Sequence, residues 1–290
     1  MVNAVSKVQW TIQSLLYWVH HKFRDLEFST PRLDAEILLS HGLNLSRIAL
    51  YTNYTRPLSD KELDTLRNLV KRRINKEPIA YIIEQKEFYS LPFFVSPAVL
   101  IPRPETETLV DLAIHFIKSR ATDHQALSLL DVGTGSGAIA LAIKHELPHL
   151  TVQAVDKSAQ ALLVAQKNAS LLSLDVEFLE SDLFSSVKSP FDCIVSNPPY
   201  IPSDKISSLS QEVQKEPHSA LDGGTDGLEL IQKIISQAKD FLKPHGLLCL
   251  ECGDDQSSSI EQFFKQQGYQ DIQITHDLAK IPRFISGIWP

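Results

Sequence analysis

From about residue 127 onward the chain alternates strand-like and helix-like runs, and this alternation limits its fold more than any other feature. Ala126 to Val132 reads as a buried strand. It runs into Gly133-Thr-Gly-Ser-Gly137 and then into a helix with Ile139, Ala140 and Ile143 facing inward. Leu150 to Val155 is a second strand, ending in Asp156, and Ser158 caps a helix that buries Leu162, Ala165, Ala169 and Leu172. Val176 to Leu179 is a third strand, closed by Ser181-Asp182, and a fourth begins at Phe191. An amphipathic helix over Gly227 to Leu242, stopped by Pro244 and Gly246, precedes a fifth strand at Leu247 to Cys252. Ser259 to Gln267 reads as a helix, and Ile272 to Thr275 and Phe284 to Trp289 as a closing hairpin. Strands joined through helices pair in parallel. The pattern therefore predicts an α/β fold: a Rossmann-like, mostly parallel sheet with an antiparallel C-terminal hairpin.

The N-terminal part has another texture. Residues 1–80 read as a small helical bundle. Val8 to Phe23 carries Trp10, Leu15, Trp18 and Val19 at helical spacing. Thr30-Pro31 marks a helix start, with Leu33, Ile37 and Leu38 inward and Gly42 as the expected stop. Ser59-Asp-Lys-Glu62 is a capping box ahead of an apolar face of Leu63, Leu66, Val70 and Ile74, and Pro78 follows. Residues 81–104 are aromatic and proline-rich and read as a hairpin linker. A helix with Leu109, Leu112, Ala113, Phe116 and Ile117 on one face opens the third segment, 105–290.

Charge divides along the same line. The whole chain is net −7, which argues against a dedicated DNA-binding protein. Residues 1–80 hold 12 Lys and Arg against 8 Asp and Glu, whereas the rest is net −11. The basic part is suited to dock an acidic surface, densest at Lys71-Arg72-Arg73 and Lys76; a solvated helix face is the plainer reading. No apolar run approaches the ~18 residues of a membrane span, and Thr11 to Phe23 is broken by Gln13, His20 and His21, unlike a signal peptide. The expected location is cytoplasmic. Cys193, Cys249 and Cys252 are too few for a disulfide framework. Cys249 and Cys252 share one strand, so their thiols face opposite sides as core groups, and no metal site is expected.

The chemistry concentrates where the fourth strand ends, at Asn197-Pro198-Pro199-Tyr200. Two prolines cannot continue a hydrogen-bond ladder, so an amide, a rigid turn and an aromatic ring are left at a strand end. Open α/β sheets bind ligands there. The Asn197 side-chain carbonyl and the Pro198 backbone carbonyl are able to accept both hydrogens of one planar –NH2 group. Tyr200 is placed to lie on the flat face that carries it. Two carbonyls aimed at such a nitrogen favour the positive charge it develops during attack.

Asp131-Val-Gly-Thr-Gly-Ser-Gly137 supplies a tight glycine turn between strand and helix, but departs from the G-x-G-x-x-G dinucleotide fingerprint. Asp156, closing the second strand, suits ribose hydroxyls. Asp182 suits an adenine amino group, and Asp131 the cationic end of a ligand. Three acids at or just beyond successive strand ends make the set specific. Together the pieces predict an S-adenosylmethionine-dependent methyltransferase acting on an –NH2 group.

Over nearly its full length the chain resembles the release factor glutamine methyltransferases, the HemK/PrmC family. The likeness rests on Phe93-Phe-Val-Ser-Pro97, Leu100-Ile-Pro-Arg-Pro-Glu-Thr-Glu107, Asp131 to Ala142 and Ser196-Asn-Pro-Pro-Tyr-Ile201. It continues through Glu216-Pro217, Ala220-Leu221, Gly224-Thr-Asp-Gly-Leu228 and Glu251-Cys-Gly253. It implies methylation of the side-chain amide in the Gly-Gly-Gln motif of peptide chain release factors, with residues 1–80 as the substrate-docking part. It assigns Gly133, Thr134, Gly135, Ser136, Gly137, Asp156, Asp182, Leu183 and Asn197 to the cofactor, and Asn197, Pro198, Pro199 and Tyr200 to the glutamine. Leu183 stands where many relatives carry an aromatic residue beside adenine, and Val132 replaces the usual leucine. Asn-Pro-Pro-Tyr alone is shared with adenine-N6 methyltransferases of DNA. Adenine methylation of DNA or RNA is thus the alternative, although only about 90 residues follow Tyr200 and no basic groove surrounds the motif. A nucleotide-binding oxidoreductase or a non-catalytic binding module are the readings from other classes.

Overall fold

The computed structural model describes residues 9–121 and 126–290. Val8, the expected start of the first helix, lies outside the described residues. Contacts divide the chain into two units, Met1–Glu84 and Gln85–Pro290.

Among the described residues the first unit holds five helices: α1 (Ile12–Asp25), α2 (Pro31–Leu43), α3 (Arg47–Thr52), α4 (Asp60–Ile74) and α5 (Ile79–Ile83). Capping boxes at Thr11 and Ser59 satisfy the first free N–H groups of α1 and α4. Ile12, Leu16, Val19, Leu38, Leu39, Leu50 and Leu66 form the fully buried centre of their core. Gly42 does not stop α2. The helix runs on to Leu43, and Asn44 closes it in the left-handed region at φ 52°. Gly42 instead permits close packing, since a Cβ there would lie 2.6 Å from Leu66 Cδ2.

The expected basic patch is largely neutralised from within. Arg73 is buried, paired with Asp34 at 2.8 Å and stacked over Phe28. Arg72 pairs with Glu77. Lys76 lies over the Phe28 ring and donates to the Leu26 carbonyl. The cluster holds α4 against its own unit, and of the four cations only Lys71 stands exposed.

The second unit opens with a hairpin, β1 (Gln85–Phe88) and β2 (Leu91–Phe94), whose Phe88 and Phe93 lie in its core. After α6 (Glu107–Arg120) come β3 (Ser128–Val132), α7 (Ala138–Glu146), β4 (Thr151–Asp156), α8 (Ala159–Leu172), β5 (Glu177–Glu180) and β6 (Phe191–Ser196). They are followed by α9 (Glu229–Ala238), β7 (Leu242–Glu251), α10 (Ser257–Gln267), β8 (Gln270–His276) and β9 (Pro282–Ile288). The helix expected to reach Leu242 stops at Ala238, and Pro244 and Gly246 fall inside the first half of β7. That early half meets β6 at Phe191↔Leu242, and the pairing resumes in a shifted register at Cys193↔Leu247. The proline thus sits where the ladder is already interrupted.

The sheet order is β5-β4-β3-β6-β7-β9-β8. β3 to β7 are parallel; β9 and β8 close the edge antiparallel. Both faces are covered, so the central strands carry unbroken apolar runs, Leu129-Leu130, Cys193 to Val195 and Leu247 to Leu250, and do not alternate. Leu129, Cys193, Val195 and Cys249 face a core built with α6 and α7. Leu130, Ile194, Leu248, Leu250 and Cys252 face one built with α9 and α10. Cys249 and Cys252 therefore serve opposite faces as buried thiols, their pKa values pushed up to about 12 by burial. The chain lays β4 and β5 on one side of β3 and then places β6 on the other. The carboxyl ends of β3 and β6 thus flank the topological switch point, where such sheets open a ligand crevice.

Candidate active site

That crevice is a cavity of about 810 Å³. The glycine turn after β3 and the Asn-Pro-Pro turn after β6 both line it, because register sets Asp131 opposite Val195 and leaves the two loops side by side. Ser196 Oγ donates to the Val132 carbonyl at 2.6 Å, tying the strand ends together.

On the glycine side, Gly133 (φ 75°) and Gly135 (φ 56°) occupy the left-handed region that glycine enters without penalty. A Cβ on either would meet nothing within 4 Å, so the turn presents open backbone to the cavity. Asp156 fixes the turn, accepting from Gly135 N–H and Ser158 N–H at 2.8 Å each. Gly133, Thr134, Gly135, Ser136, Asp156, Asp182 and Leu183 all lie in the wall. Gly137 stands behind it, at the start of α7. Asp182 is exposed and pairs with Lys157 at 2.8 Å. Leu183 itself has φ 53°, and the next residue, Phe184, is stacked on Phe241 in the core. The aromatic residue adjoining Leu183 in sequence is therefore committed to the core and not to the cavity.

Asp131 is fully buried. Burial pushes its pKa up to about 7, opposed by hydrogen bonds from the Thr134 hydroxyl and the Ala140 N–H. Its Oδ1 has no hydrogen-bond partner among the described residues. An open glycine cradle, carboxylates at successive strand ends and an orphaned buried carboxylate oxygen suit a ligand with a ribose, an amino-bearing base and an ammonium group.

On the other side, Asn197, Pro198 and Pro199 line the cavity. No hydrogen bond reaches the Pro198 carbonyl among the described residues. Tyr200 is not in the wall. Its ring packs against the core, its carbonyl accepts from Gln256 Nε2 at 2.9 Å, and burial pushes its hydroxyl up to about 12. The structure thus brings together all the expected residues except Asp131, Gly137 and Tyr200, which stand one layer back. Gly223 backs this corner: a Cβ there would come within 2.8 Å of Pro199 O and Tyr200 Cα.

Two residues that the sequence reading did not single out join the site. Asn197 Nδ2 donates to Thr106 Oγ1 at 3.2 Å, and Thr106 donates to Glu251 Oε2 at 2.7 Å. A carboxylate closing the otherwise apolar Leu247–Cys252 run was the available signal for Glu251. Thr106 stands inside the motif Leu100-Ile-Pro-Arg-Pro-Glu-Thr-Glu107. Arg103 pairs with buried Glu216, whose other oxygen accepts the Ile101 N–H at 3.0 Å. That contact holds the loop after β6 against the segment before α6.

A family profile described as the PrmC N-terminal domain matches residues 14–83, and the methyltransferase small domain matches 106–225. The release factor glutamine methyltransferase of Geobacter sulfurreducens is 40% identical over 280 residues, 96% of each chain. The chain belongs to the release factor glutamine methyltransferase family. The family's protein from Rhodopirellula baltica is 39% identical over 99% of both chains, and that from Coxiella burnetii 43% identical over 88% of this chain and 91% of its own. The chain is accordingly a methyltransferase, and S-adenosylmethionine is its methyl donor. A methyltransferase from Pyrococcus furiosus (TM-score 0.50, 18% identity, 78% of this chain and 98% of that one) shares the fold. So does the hMettl16 catalytic domain in complex with an RNA hairpin (TM-score 0.55, 16% identity, 81% and 84%). At such identities the likeness is one of fold alone. Adenine methylation gains nothing from it, whereas the near-full-length relatives favour protein glutamine. Among the described residues, no helix is long and apolar enough to cross a membrane.

Proposed function

We propose that the Asn197-Pro198 corner grips the side-chain amide of the glutamine in the Gly-Gly-Gln motif of peptide chain release factors and presents its nitrogen for methylation. The observation that carries this reading is the shared cavity: the corner and the glycine cradle line one crevice. S-adenosylmethionine, when bound, supplies a methyl group made electrophilic by its sulfonium. Gly133 to Ser136 would carry it, Asp156 would accept from the ribose hydroxyls and Asp182 from the adenine amino group, and Asp131, buried behind the wall, would favour the ammonium end by its charge. Leu183 gives the base an apolar edge in place of an aromatic one. Gly137 supports the cradle from behind.

An amide nitrogen is a poor nucleophile because its lone pair is delocalised. Asn197 Oδ1 and the Pro198 carbonyl accept its two hydrogens, hold it in line and oppose the positive charge that builds before a proton is shed. Tyr200 and Pro199 stiffen the corner. The helical unit, residues 1–80, serves as the docking part for the release factor, and the setting is the cytoplasm, with no direct role for DNA. Incubating the protein with labelled donor, a release factor and adenine-containing DNA and RNA tests the reading. Label is expected in the release factor alone. Label in nucleic acid overturns it.

A further inference from the structure

We propose that Thr106 and Glu251 are positioning residues that set which edge of the Asn197 amide faces the substrate. This rests on the reading of Asn197 as the amide-gripping residue and adds how it is oriented.

Three distant segments meet here. Asn197 follows the end of β6. Glu251 ends β7, and because Ser196 pairs with Leu250, Glu251 comes level with Asn197. Thr106, from the turn Pro104–Thr106 ahead of α6, stands between them. Thr106 and Glu251 are both buried, at 4% and 2% exposure, so water does not compete for their bonds.

The chain of bonds has a direction. While ionised, Glu251 only accepts, so the single Thr106 hydroxyl proton is then committed to Glu251 Oε2. The oxygen then offers only lone pairs on its other side and takes Asn197 by its Nδ2–H edge. The reversed amide would set Oδ1 against those lone pairs. The carbonyl edge that the substrate –NH2 requires is thereby assigned by a carboxylate that does not touch the substrate. A side-chain amide left to itself has two nearly isosteric orientations, and the wrong one offers a donor to a donor. Both strand ends and the turn are fixed by the fold, so the polarity is set before substrate arrives.

Burial pushes Glu251 up to about 7, with Arg283 on β9 and Arg103 drawing it down and Glu105 raising it. The Tyr200 hydroxyl and the Cys252 thiol, whose own pKa values Glu251 helps to raise, face the same carboxylate. Protonated, Glu251 donates to Thr106, and the direction is no longer imposed.

Steady-state kinetics on a release factor decide the matter, with cofactor affinity followed by calorimetry and folding by thermal melting. Thr106→Val is expected to lower kcat on the order of tenfold, the scale of one lost orienting hydrogen bond, with cofactor affinity unchanged. Thr106→Ser, which keeps the hydroxyl, is expected to restore most of it. Glu251→Gln, able to donate towards Thr106, is expected to lower kcat similarly, and the double variant Thr106→Val/Glu251→Gln no further than Thr106→Val alone. A fully active Thr106→Val, a Thr106→Ser as impaired as Thr106→Val, or additive losses in the double variant would each overturn the relay. Failure of the wild-type protein to methylate glutamine would instead sink the functional reading beneath it.

Discussion

The two halves of the active-site cavity are built in opposite ways. The cofactor half is local: the glycine turn, Asp131 and Asp156 lie within one strand–loop–helix–strand passage, and the turn is pinned by a carboxylate 21 residues away. The acceptor half is assembled from afar. Asn197 is held by Thr106, 91 residues distant, and Thr106 by Glu251, 145 residues distant. Gly223 presses on the corner's backbone, and Gln256 on α10's approach bonds its carbonyl. A cradle for a common cofactor needs only backbone shape and acids at strand ends. A grip on one particular –NH2 needs an amide held in one orientation, and that takes partners on several elements.

The difference is open to experiment. Asn197→Ala is expected to reduce methyl transfer on the order of a hundredfold, the usual scale for one preorganised charge-stabilising group, while cofactor binding by calorimetry survives. Unchanged turnover would remove Asn197 from the acceptor half. Gly223→Ala is expected to destabilise by about 1–3 kcal/mol, the range for overpacking, with activity lost more than cofactor affinity; denaturant unfolding beside kinetics measures both. Asp156→Ala is expected to weaken cofactor binding on the order of tenfold, as for loss of a hydrogen-bonded charged group, with kcat at saturating donor largely kept. Equal damage to both halves from any of these three would erase the distinction.

Each half also buries one acid with a raised pKa, Asp131 and Glu251, both about 7 against ordinary values of 3.8 and 4.5. Between those ordinary values and about 7 the folded chain holds more protons than the unfolded one. Stability should therefore fall as pH rises through that window. Glu251→Gln should flatten the slope of melting temperature against pH, leaving Asp131's share. An unchanged slope would place the Glu251 carboxylate outside this linkage. The smallest effect is expected from Lys157→Ala. Its pair with Asp182 is exposed on both sides, 75% and 61%, and such pairs contribute about 0–1 kcal/mol. A larger loss of cofactor affinity would make Lys157 a direct ligand.

The same contrast explains what sequence could and could not disclose. The parallel sheet was legible because buried strands read as apolar runs and Gly133 to Gly137 marks a strand-to-helix turn. The corner at Asn197 was legible because two prolines end a strand unmistakably. Three things were not. Pro244 was expected to follow a helix end, yet it sits in β7, since a proline is tolerated where pairing lapses between Phe191 and Cys193. The basic cluster at Lys71 to Lys76 looked like a surface, but Asp34 and Phe28, far away in sequence, fold onto it. Thr106 and Glu251 carry no local pattern that ties them to Asn197; only the register of β6 with β7 does so.

The central claim is that one corner selects one nitrogen. Fragmentation mass spectrometry of a release factor after incubation with donor and either wild-type protein or Asn197→Ala tests it most directly. The account predicts a single added CH2 on the Gly-Gly-Gln glutamine side chain with wild type and almost none with the cofactor-binding variant. A CH2 on another residue, or equal modification by Asn197→Ala, would contradict it.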